Sequence, residues 1–168
     1  MIALIPGSYD PITLGHVNII ERAACKFEKV IVAVMNNDSA KHDKTLSSKT
    51  YMFDMEKRLE LVRLSTAHIS NVEVVSSSGM LIDLFDELGA DVIVKGIRTA
   101  ADLEYELIHA KWNKAHNDRV ETLFLPADDS LVTVSSTLVR EHLANGEYDK
   151  LTGVLSERAI NHLKHNSK

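Results

Sequence analysis

Apolar, strand-like runs alternate with helical periodicity along the chain, and this alternation limits the possible folds more than any other feature. The runs lie at residues 2–5, 29–35, 72–75, 91–94 and 120–125. Between them, apolar residues recur at helical spacing, as in Val17, Ile20 and Ala24, in Met55, Leu59 and Val62, and in Leu103, Leu107 and Ala110. Strands alternating with helices form βαβ units, so the sequence predicts an α/β fold: a Rossmann-like, doubly wound sheet of about five parallel strands with flanking helices.

Length and charge narrow the class of protein further. A chain of 168 residues predicts a single domain, 1–168, with helices at about 136–144 and 156–165 and a frayed tail at 166–168. The net charge of −5 argues against nucleic acid as a partner, so cations and N–H groups must meet any anionic ligand locally. The single cysteine, the lack of a secretory signal and the lack of a long apolar run predict a cytoplasmic protein without a membrane partner.

The segment after the first strand carries the strongest sign of function. Residues 6–16 read PGSYDPITLGH, with turn-forming Gly7 and Pro11 ahead of a helix whose first turn contains His16. The N–H groups of a first helical turn lack partners and the helix dipole is positive there, so this position favours phosphate. An isolated histidine at a helix start is usually only exposed. The whole string is much more specific and predicts a phosphate-handling site.

Two later segments add candidate anion-binding sites. Lys95 and Arg98 flank a glycine at the carboxyl end of a predicted strand, where ligands bind in such sheets. Acidic residues in the following helix complement its dipole, but Glu106 is also placed to accept a hydrogen bond from a ligand or to position Arg98. Hydroxyls crowd residues 133–137 at the start of another helix, where one is expected to be the N-cap and the others to form a second anion-binding site.

Several common chemistries are disfavoured by missing motifs. The sequence contains no H-E-x-x-H zinc motif, no G-x-x-x-x-G-K-[ST] phosphate loop, no G-x-G-x-x-G dinucleotide fingerprint and no G-x-S-x-G elbow. The remaining histidines have no metal-ligand spacing, so no protein-held metal is expected.

The motifs together resemble a known enzyme family. TLGH at 13–16 resembles the T/H-x-G-H signature of the nucleotidyltransferase superfamily, and SSTLVR at 135–140 resembles its second signature. With PGSYDPIT at 6–13, KGIR at 95–98 and DLEYE at 102–106, the chain resembles bacterial phosphopantetheine adenylyltransferases over nearly its whole length. The resemblance implies transfer of the adenylyl group of ATP to the phosphate of 4′-phosphopantetheine, giving dephospho-coenzyme A and pyrophosphate. It also implies in-line displacement without a covalent intermediate, a Mg²⁺ requirement and a homohexamer.

The resemblance assigns expected roles to individual residues. The implied catalytic residues are His16, Lys49 and Arg98. The implied ATP-binding residues are Ser8, Tyr9, His16, Gly96, Ile97, Arg98, Glu106, Leu131, Val132, Thr133, Val134, Ser135, Ser136 and Thr137. The implied phosphopantetheine-binding residues are Ser8, Lys49, Leu81 and Lys95.

The sequence departs from the family pattern in three places. Several extra residues precede Lys49, so Lys41 and Lys44 compete for its role. Lys95 replaces a common arginine, which exchanges a forked phosphate contact for a point charge. Leu131 stands where an aromatic residue is frequent.

Two alternative functions compete with this expectation. The first is a nucleotidyltransferase of the same fold acting on nicotinate mononucleotide or glycerol 3-phosphate. Thr13 in the first signature and the string at 104–106 argue against it. The second is a non-catalytic ATP-binding regulator, which intact His16, Lys49 and Arg98 disfavour.

Overall fold

The computed structural model describes residues 1–36 and 50–165, and in these ranges it contains one five-stranded parallel sheet with helices on both faces. The strands are β1 (Ile2–Gly7), β2 (Lys29–Met35), β3 (Val72–Ser77), β4 (Val92–Ile97) and β5 (Thr122–Pro126). The described α-helices are α1 (Leu14–Ala24), α2 (Met55–Thr66), α3 (Leu81–Glu87), α4 (Ala100–His116), α5 (Ser136–Ala144) and α6 (Glu157–His165). The predicted α/β fold with parallel strands is confirmed. The predicted frayed tail lies outside the described residues.

The strand order places a switch point in the middle of the sheet. The order is β3-β2-β1-β4-β5, and every neighbouring pair is parallel. The chain therefore builds outwards from β1 through β2 and β3, and then returns to the other side of β1 with β4. In sheets of this kind the crevice at the carboxyl ends of the two strands flanking the switch, here β1 and β4, is where ligands bind.

The central strands are buried on both faces, which explains their unbroken apolar sequences. In β2, Val30, Val32 and Val34 belong to the core cluster that also contains residues of α1, α2 and α6. The intervening Ile31 and Ala33 pack in a second cluster with residues of α3. Alternate residues of one strand therefore fill two cores, as the two-residue period of a strand requires.

One strand is longer than its sequence predicts. The apolar run suggested that the fourth strand ends at residue 94, with Lys95 and Gly96 in a following turn. In the structure the pairing with β5 continues to Ile97, which is opposite Pro126. Neighbouring backbone supplies this pairing, so the strand extends through a cation and a glycine that have no strand preference of their own.

The apolar stripes predicted the helices correctly but misplaced two of their faces. The buried face of α2 is centred on Arg58, Leu61 and Val62, whereas Met55 and Leu59 are only half-buried. In α4 the predicted stripe is largely uncovered, and the one buried residue of the helix is Asn113. None of the helices in the described ranges is both long enough and apolar enough to cross a membrane.

Gly7 ends β1 beneath an aromatic ring. The Tyr9 side chain is buried, and its hydroxyl donates a hydrogen bond to the Ile5 carbonyl oxygen at 3.0 Å. A Cβ atom on Gly7 would lie 2.8 Å from Tyr9 Cζ. The tight turn expected from Gly7 is made instead by Tyr9, whose φ of 45° is in the left-handed region. Gly7 is required because it has no side chain.

We expect Gly7→Ala to lower the free energy of unfolding by about 1–3 kcal/mol, because the new methyl group overlaps the Tyr9 ring. Denaturant unfolding measures this. The matched control is Gly79→Ala, where a Cβ atom would meet only Ser77 Oγ, at 3.6 Å. Equal unfolding midpoints for the two variants would contradict the packing argument.

Candidate active site

The site is organised around residues 8–13, which join β1 to α1 at the switch point and contain a cis peptide bond between Asp10 and Pro11. Asp10 is buried, and its Oδ2 and Oδ1 atoms accept hydrogen bonds from the N–H groups of Met52 and Phe53, each at 2.9 Å. One carboxylate therefore attaches the chain that leads into α2 to the loop after β1.

The start of α5 is attached to the same loop. Ser135 is the N-cap, as the hydroxyl-rich sequence suggested, and its Oγ accepts the Leu138 N–H at 3.2 Å. Ser136 Oγ donates to the Pro11 carbonyl oxygen at 2.8 Å, and Arg140 Nη1 donates to the Asp10 carbonyl oxygen at 2.7 Å. The second signature segment thus holds the first one in place.

The three successive hydroxyls at the start of α5 all have partners within the protein. Thr137 Oγ1 accepts from Arg140 Nη2 at 2.9 Å, in addition to the bonds of Ser135 and Ser136. The groups of this helix end that suit an anion are therefore the N–H groups of Ser136 and Thr137, which have no acceptor within the helix.

His16 is the third residue of α1 and its side chain helps to cap the helix. Its Nδ1 atom accepts a hydrogen bond from the Thr13 N–H at 3.0 Å and lies 2.9 Å from Thr13 Oγ1. This is the position that glutamate or glutamine occupies in a capping box. Because Nδ1 is the acceptor, the neutral ring carries its proton on Nε2 and presents a hydrogen-bond donor on its other side.

Tyr9 limits what residue 9 can offer a nucleotide. Its ring contacts the His16 ring edge-on, with 5.2 Å between centroids. Burial raises the pKa of the Tyr9 hydroxyl far above its usual range, so this side chain stays neutral. Since the hydroxyl is already bonded to Ile5, any nucleotide contact at residue 9 has to come from its main chain.

The two cations of β4 and its end are paired with different acidic residues. Lys95 Nζ lies 3.1 Å from Glu106 Oε2, and both side chains are largely buried. Arg98 Nε lies 3.2 Å from Asp102 Oδ2. From the sequence, one of the two roles considered for Glu106 was to position Arg98. Asp102 does so instead, because it lies in the first turn of α4 beside Arg98, whereas Glu106 is one turn further along and meets Lys95.

Several of the residues expected in the site converge at the switch point. Arg98 Nη1 donates to the Val134 carbonyl oxygen at 3.4 Å. A Cβ atom on Gly15 would lie 3.8 Å from the Leu131 carbonyl oxygen, so the start of α1 faces the loop at 131–137, including Val132 and Thr133. A Cβ atom on Gly96 would lie 2.9 Å from Ile19 Cγ1, so α1 packs closely on β4. The His16 helix, Arg98 and the loop therefore meet.

The remaining expected residues are more dispersed. Ser8 follows β1 directly and Ile97 is the last residue of β4, so both lie at the carboxyl ends of the two central strands. Leu81 is the first residue of α3, after β3, which is two strands away from β1. Lys49 and its competitors Lys41 and Lys44 lie outside the described residues.

From the sequence, Arg58 is only the last residue of MFDMEKR at 52–58, a string that resembles one in the family, and no role was expected for it. This arginine is 1% exposed, and one of its nitrogens donates to the Ser8 carbonyl oxygen at 2.8 Å. Its helical spacing could have indicated that it is buried, because residues 58, 61, 62 and 65 share one buried face of α2.

The described residues do not suggest a metal-binding cage. In residues 1–36 and 50–165, no three His, Cys, Asp or Glu side chains are grouped so that they could hold a metal ion. A Mg²⁺ ion that arrives with a nucleotide does not need such a cage, because it is held mainly by phosphate oxygens and water.

Comparison with known proteins shows the family to which the chain belongs. The family model described as Cytidylyltransferase-like matches residues 4–142. A Staphylococcus haemolyticus protein named phosphopantetheine adenylyltransferase is 40% identical over 139 residues, which cover 83% of this chain and 81% of the relative. A Haemophilus influenzae protein of the same name is 43% identical over 152 residues, 90% of this chain and 92% of the relative. The chain belongs to this cytidylyltransferase-like group and, within it, to the phosphopantetheine adenylyltransferase family.

Solved structures share the fold at much lower identity. A Vibrio parahaemolyticus protein provisionally described as a nicotinate-nucleotide adenylyltransferase has a TM-score of 0.68 at 20% identity, covering 96% of this chain and 97% of its own. A lipopolysaccharide core biosynthesis protein from Thermoplasma volcanium has a TM-score of 0.51 at 21% identity, covering 76% and 96%. These likenesses describe the architecture and carry no information about the substrate.

Proposed function

We propose that this protein transfers the adenylyl group of ATP to the phosphate of 4′-phosphopantetheine, giving dephospho-coenzyme A and pyrophosphate. The observation that carries the proposal is the His16 imidazole, which lies in the first turn of α1 after the switch point and whose orientation is fixed by the hydrogen bond from the Thr13 N–H to Nδ1. The relatives at 40–43% identity support this acceptor over nicotinate mononucleotide or glycerol 3-phosphate.

The chemistry needs positioning and charge stabilisation more than proton transfer. The acceptor phosphate is already an anion, so it attacks the α-phosphorus of ATP without a general base. A new P–O bond forms to the acceptor oxygen, and the bond from the α-phosphorus to pyrophosphate breaks. In this proposal His16 donates a hydrogen bond to an α-phosphate oxygen, where negative charge develops.

Other groups hold the two substrates. We assign the pyrophosphate leaving group to Arg98 and to the first-turn N–H groups of α5, with Mg²⁺ entering as part of the MgATP substrate. Asp102 and the Val134 carbonyl oxygen orient the Arg98 guanidinium for this task. Lys49 is proposed to contact the α-phosphate and the acceptor. The other proposed nucleotide contacts are Ser8, the Tyr9 main chain, Gly96, Ile97, Glu106 and residues 131–137, and the other proposed acceptor contacts are Ser8, Leu81 and Lys95.

An apolar surface supports the proposal that copies of the chain associate. Large exposed apolar side chains lie along α4, and we call them the α4 patch: Leu103, Tyr105, Leu107, Ile108 and Trp112. A patch of this kind on one face is typical of a protein interface. We propose that it is buried between copies in a homohexamer, which works in the cytoplasm where both substrates are expected.

The acceptor is tested by a pyrophosphate-release assay with ATP, Mg²⁺ and a panel of 4′-phosphopantetheine, nicotinate mononucleotide and glycerol 3-phosphate. We expect release only with 4′-phosphopantetheine, and loss of release when EDTA removes Mg²⁺. Activity confined to nicotinate mononucleotide would overturn the assignment. Binding of ATP without release for any acceptor would instead support the regulator.

We expect His16→Ala to lower turnover by about 10²–10³-fold while ATP affinity, measured by calorimetry, changes little, because the lost hydrogen bond serves mainly the transition state. His68→Ala is the control, since His68 is exposed, pairs with Glu21 and precedes β3 at the opposite edge of the sheet. Near-normal turnover of His16→Ala would remove His16 from the mechanism.

We expect Ile108→Lys to convert the assembly to smaller species, because it places a charge in the centre of the α4 patch, where Ile108 is 64% exposed in the single chain. Light scattering coupled to size-exclusion chromatography measures this change. Met52→Lys is the control, since Met52 is also exposed, at 43%, but lies outside the patch. A monomeric parent protein, or an Ile108→Lys variant of unchanged mass, would contradict the proposal.

A further inference from the structure

Arg58 is a buried cation whose partners in residues 1–36 and 50–165 are neutral oxygen atoms. It is 1% exposed, and among the described residues no carboxylate lies within salt-bridge distance of its guanidinium group. Its hydrogen-bond acceptors are the carbonyl oxygens of Ser8 at 2.8 Å, Phe53 at 3.2 Å, Asp54 at 3.4 Å and Met35 at 3.4 Å, and the side-chain oxygen of Asn36.

These bonds satisfy the N–H groups of Arg58 without cancelling its charge. A guanidinium group stays protonated in proteins, and carbonyl dipoles are neutral overall. Removing such a charge from water is unfavourable unless an anion compensates for it. Among the described residues no carboxylate contacts Arg58 directly to offset this cost, so the hydrogen bonds alone do not account for burying the charge.

The position of this charge connects it to the active site. Nη1 bonds to Ser8 just beyond β1 and to Met35 at the end of β2, so the guanidinium group bridges the carboxyl ends of two neighbouring strands. Nε bonds to the Phe53 and Asp54 carbonyl oxygens at the entry to α2, and the Tyr51 ring covers the guanidinium group at 4.2 Å. Arg58 thus lies directly behind the Ser8 main chain, on the inner side of the loop that leads to His16.

We propose that Arg58 is a positioning residue for adenylyl transfer, with two effects. It fixes the Ser8 main chain at the end of β1, and its buried positive charge increases the affinity of the site for anionic substrates. Arg58 itself touches neither substrate. The inference rests on the proposed function of the site. The compensating negative charge is supplied by the substrate phosphates, so the cost of burying Arg58 is recovered in the bound state.

Two substitutions separate the charge from the hydrogen bonds. Arg58→Lys and Arg58→Gln both keep N–H donors near the carbonyl oxygens, but only lysine keeps the charge. Asn71→Ala is the control, because the Asn71 side chain also holds carbonyl oxygens, those of Ala24 and Phe27 at 3.0 Å each, but at the opposite end of the sheet. The readouts are kcat, KM for each substrate, the unfolding midpoint, and the Kd of pyrophosphate by calorimetry.

In Arg58→Gln we expect the Kd of pyrophosphate and both KM values to rise about tenfold or more, through loss of the charge. Arg58→Lys should restore most of this affinity but not kcat, because a single ammonium group cannot bridge β1 and β2 as the fork does. Asn71→Ala should lower the unfolding midpoint and leave KM and the Kd of pyrophosphate unchanged.

Equal pyrophosphate affinities in the lysine and glutamine variants would overturn the electrostatic role. The same kinetic losses in Asn71→Ala would reduce Arg58 to a residue that only stabilises the fold. If Arg58→Gln does not fold, the folded lysine variant decides alone: a lowered kcat with a Kd of pyrophosphate within about threefold of the parent supports the inference, and an unchanged kcat or a larger loss of affinity overturns it.

The pyrophosphate titration also separates this inference from the proposed function. A parent protein that binds pyrophosphate in an Arg58-dependent way but transfers no adenylyl group to 4′-phosphopantetheine would overturn the proposed acceptor and leave the electrostatic role standing. A parent that carries out the transfer, with Arg58 variants that all keep the kinetic constants of the parent, would support the proposed acceptor and overturn the role of Arg58.

Discussion

The loop at residues 8–13 lies outside any helix or strand, and side chains from distant parts of the chain satisfy its polar groups. Arg140 donates to the Asp10 carbonyl oxygen, Ser136 to that of Pro11, and Arg58 to that of Ser8. In return, the Asp10 carboxylate accepts two N–H groups from residues 52 and 53. Because a buried polar group without a partner is unfavourable, these bonds determine how α2, α5 and β1 meet. The geometry of the candidate active site follows from that junction.

The sequence predicted the general architecture because each step in it depends on local information. A two-residue or 3.6-residue period identifies a strand or a helix, and alternation of the two favours a parallel sheet. The hydroxyl cluster also predicted that one of its members caps the helix, because capping depends on a few neighbouring residues, and the structure shows that this member is Ser135. Strand order is different. It depends on which strands pair over long sequence separations, and no local pattern in the chain placed β4 beside β1.

Other features of the site depended on tertiary packing and were not available from spacing. Arg58 lies at the centre of a buried helical face, but a search for apolar stripes assigns any cation to the solvent side. Asp102 and Glu106 share a face of α4, and only the position of that helix against β4 decides which one meets Arg98 and which one meets Lys95. Similarly, the stripe on α4 predicted a helix but contained no information about what would cover it.

The attachment of the loop has a consequence for how such a site can change over evolutionary time. The hydrogen bonds that hold the loop go from Arg58, Arg140 and Ser136 to carbonyl oxygens, which every amino acid possesses. These bonds therefore do not depend on the side chains at positions 8 and 11. A substitution at Ser8 would therefore alter the chemistry offered to a ligand while the main chain stays where it is. The side chains of the loop recognise the ligand, whereas hydrogen bonds to its main chain hold it in place. The specificity of the site can therefore change by substitution without first destabilising the fold.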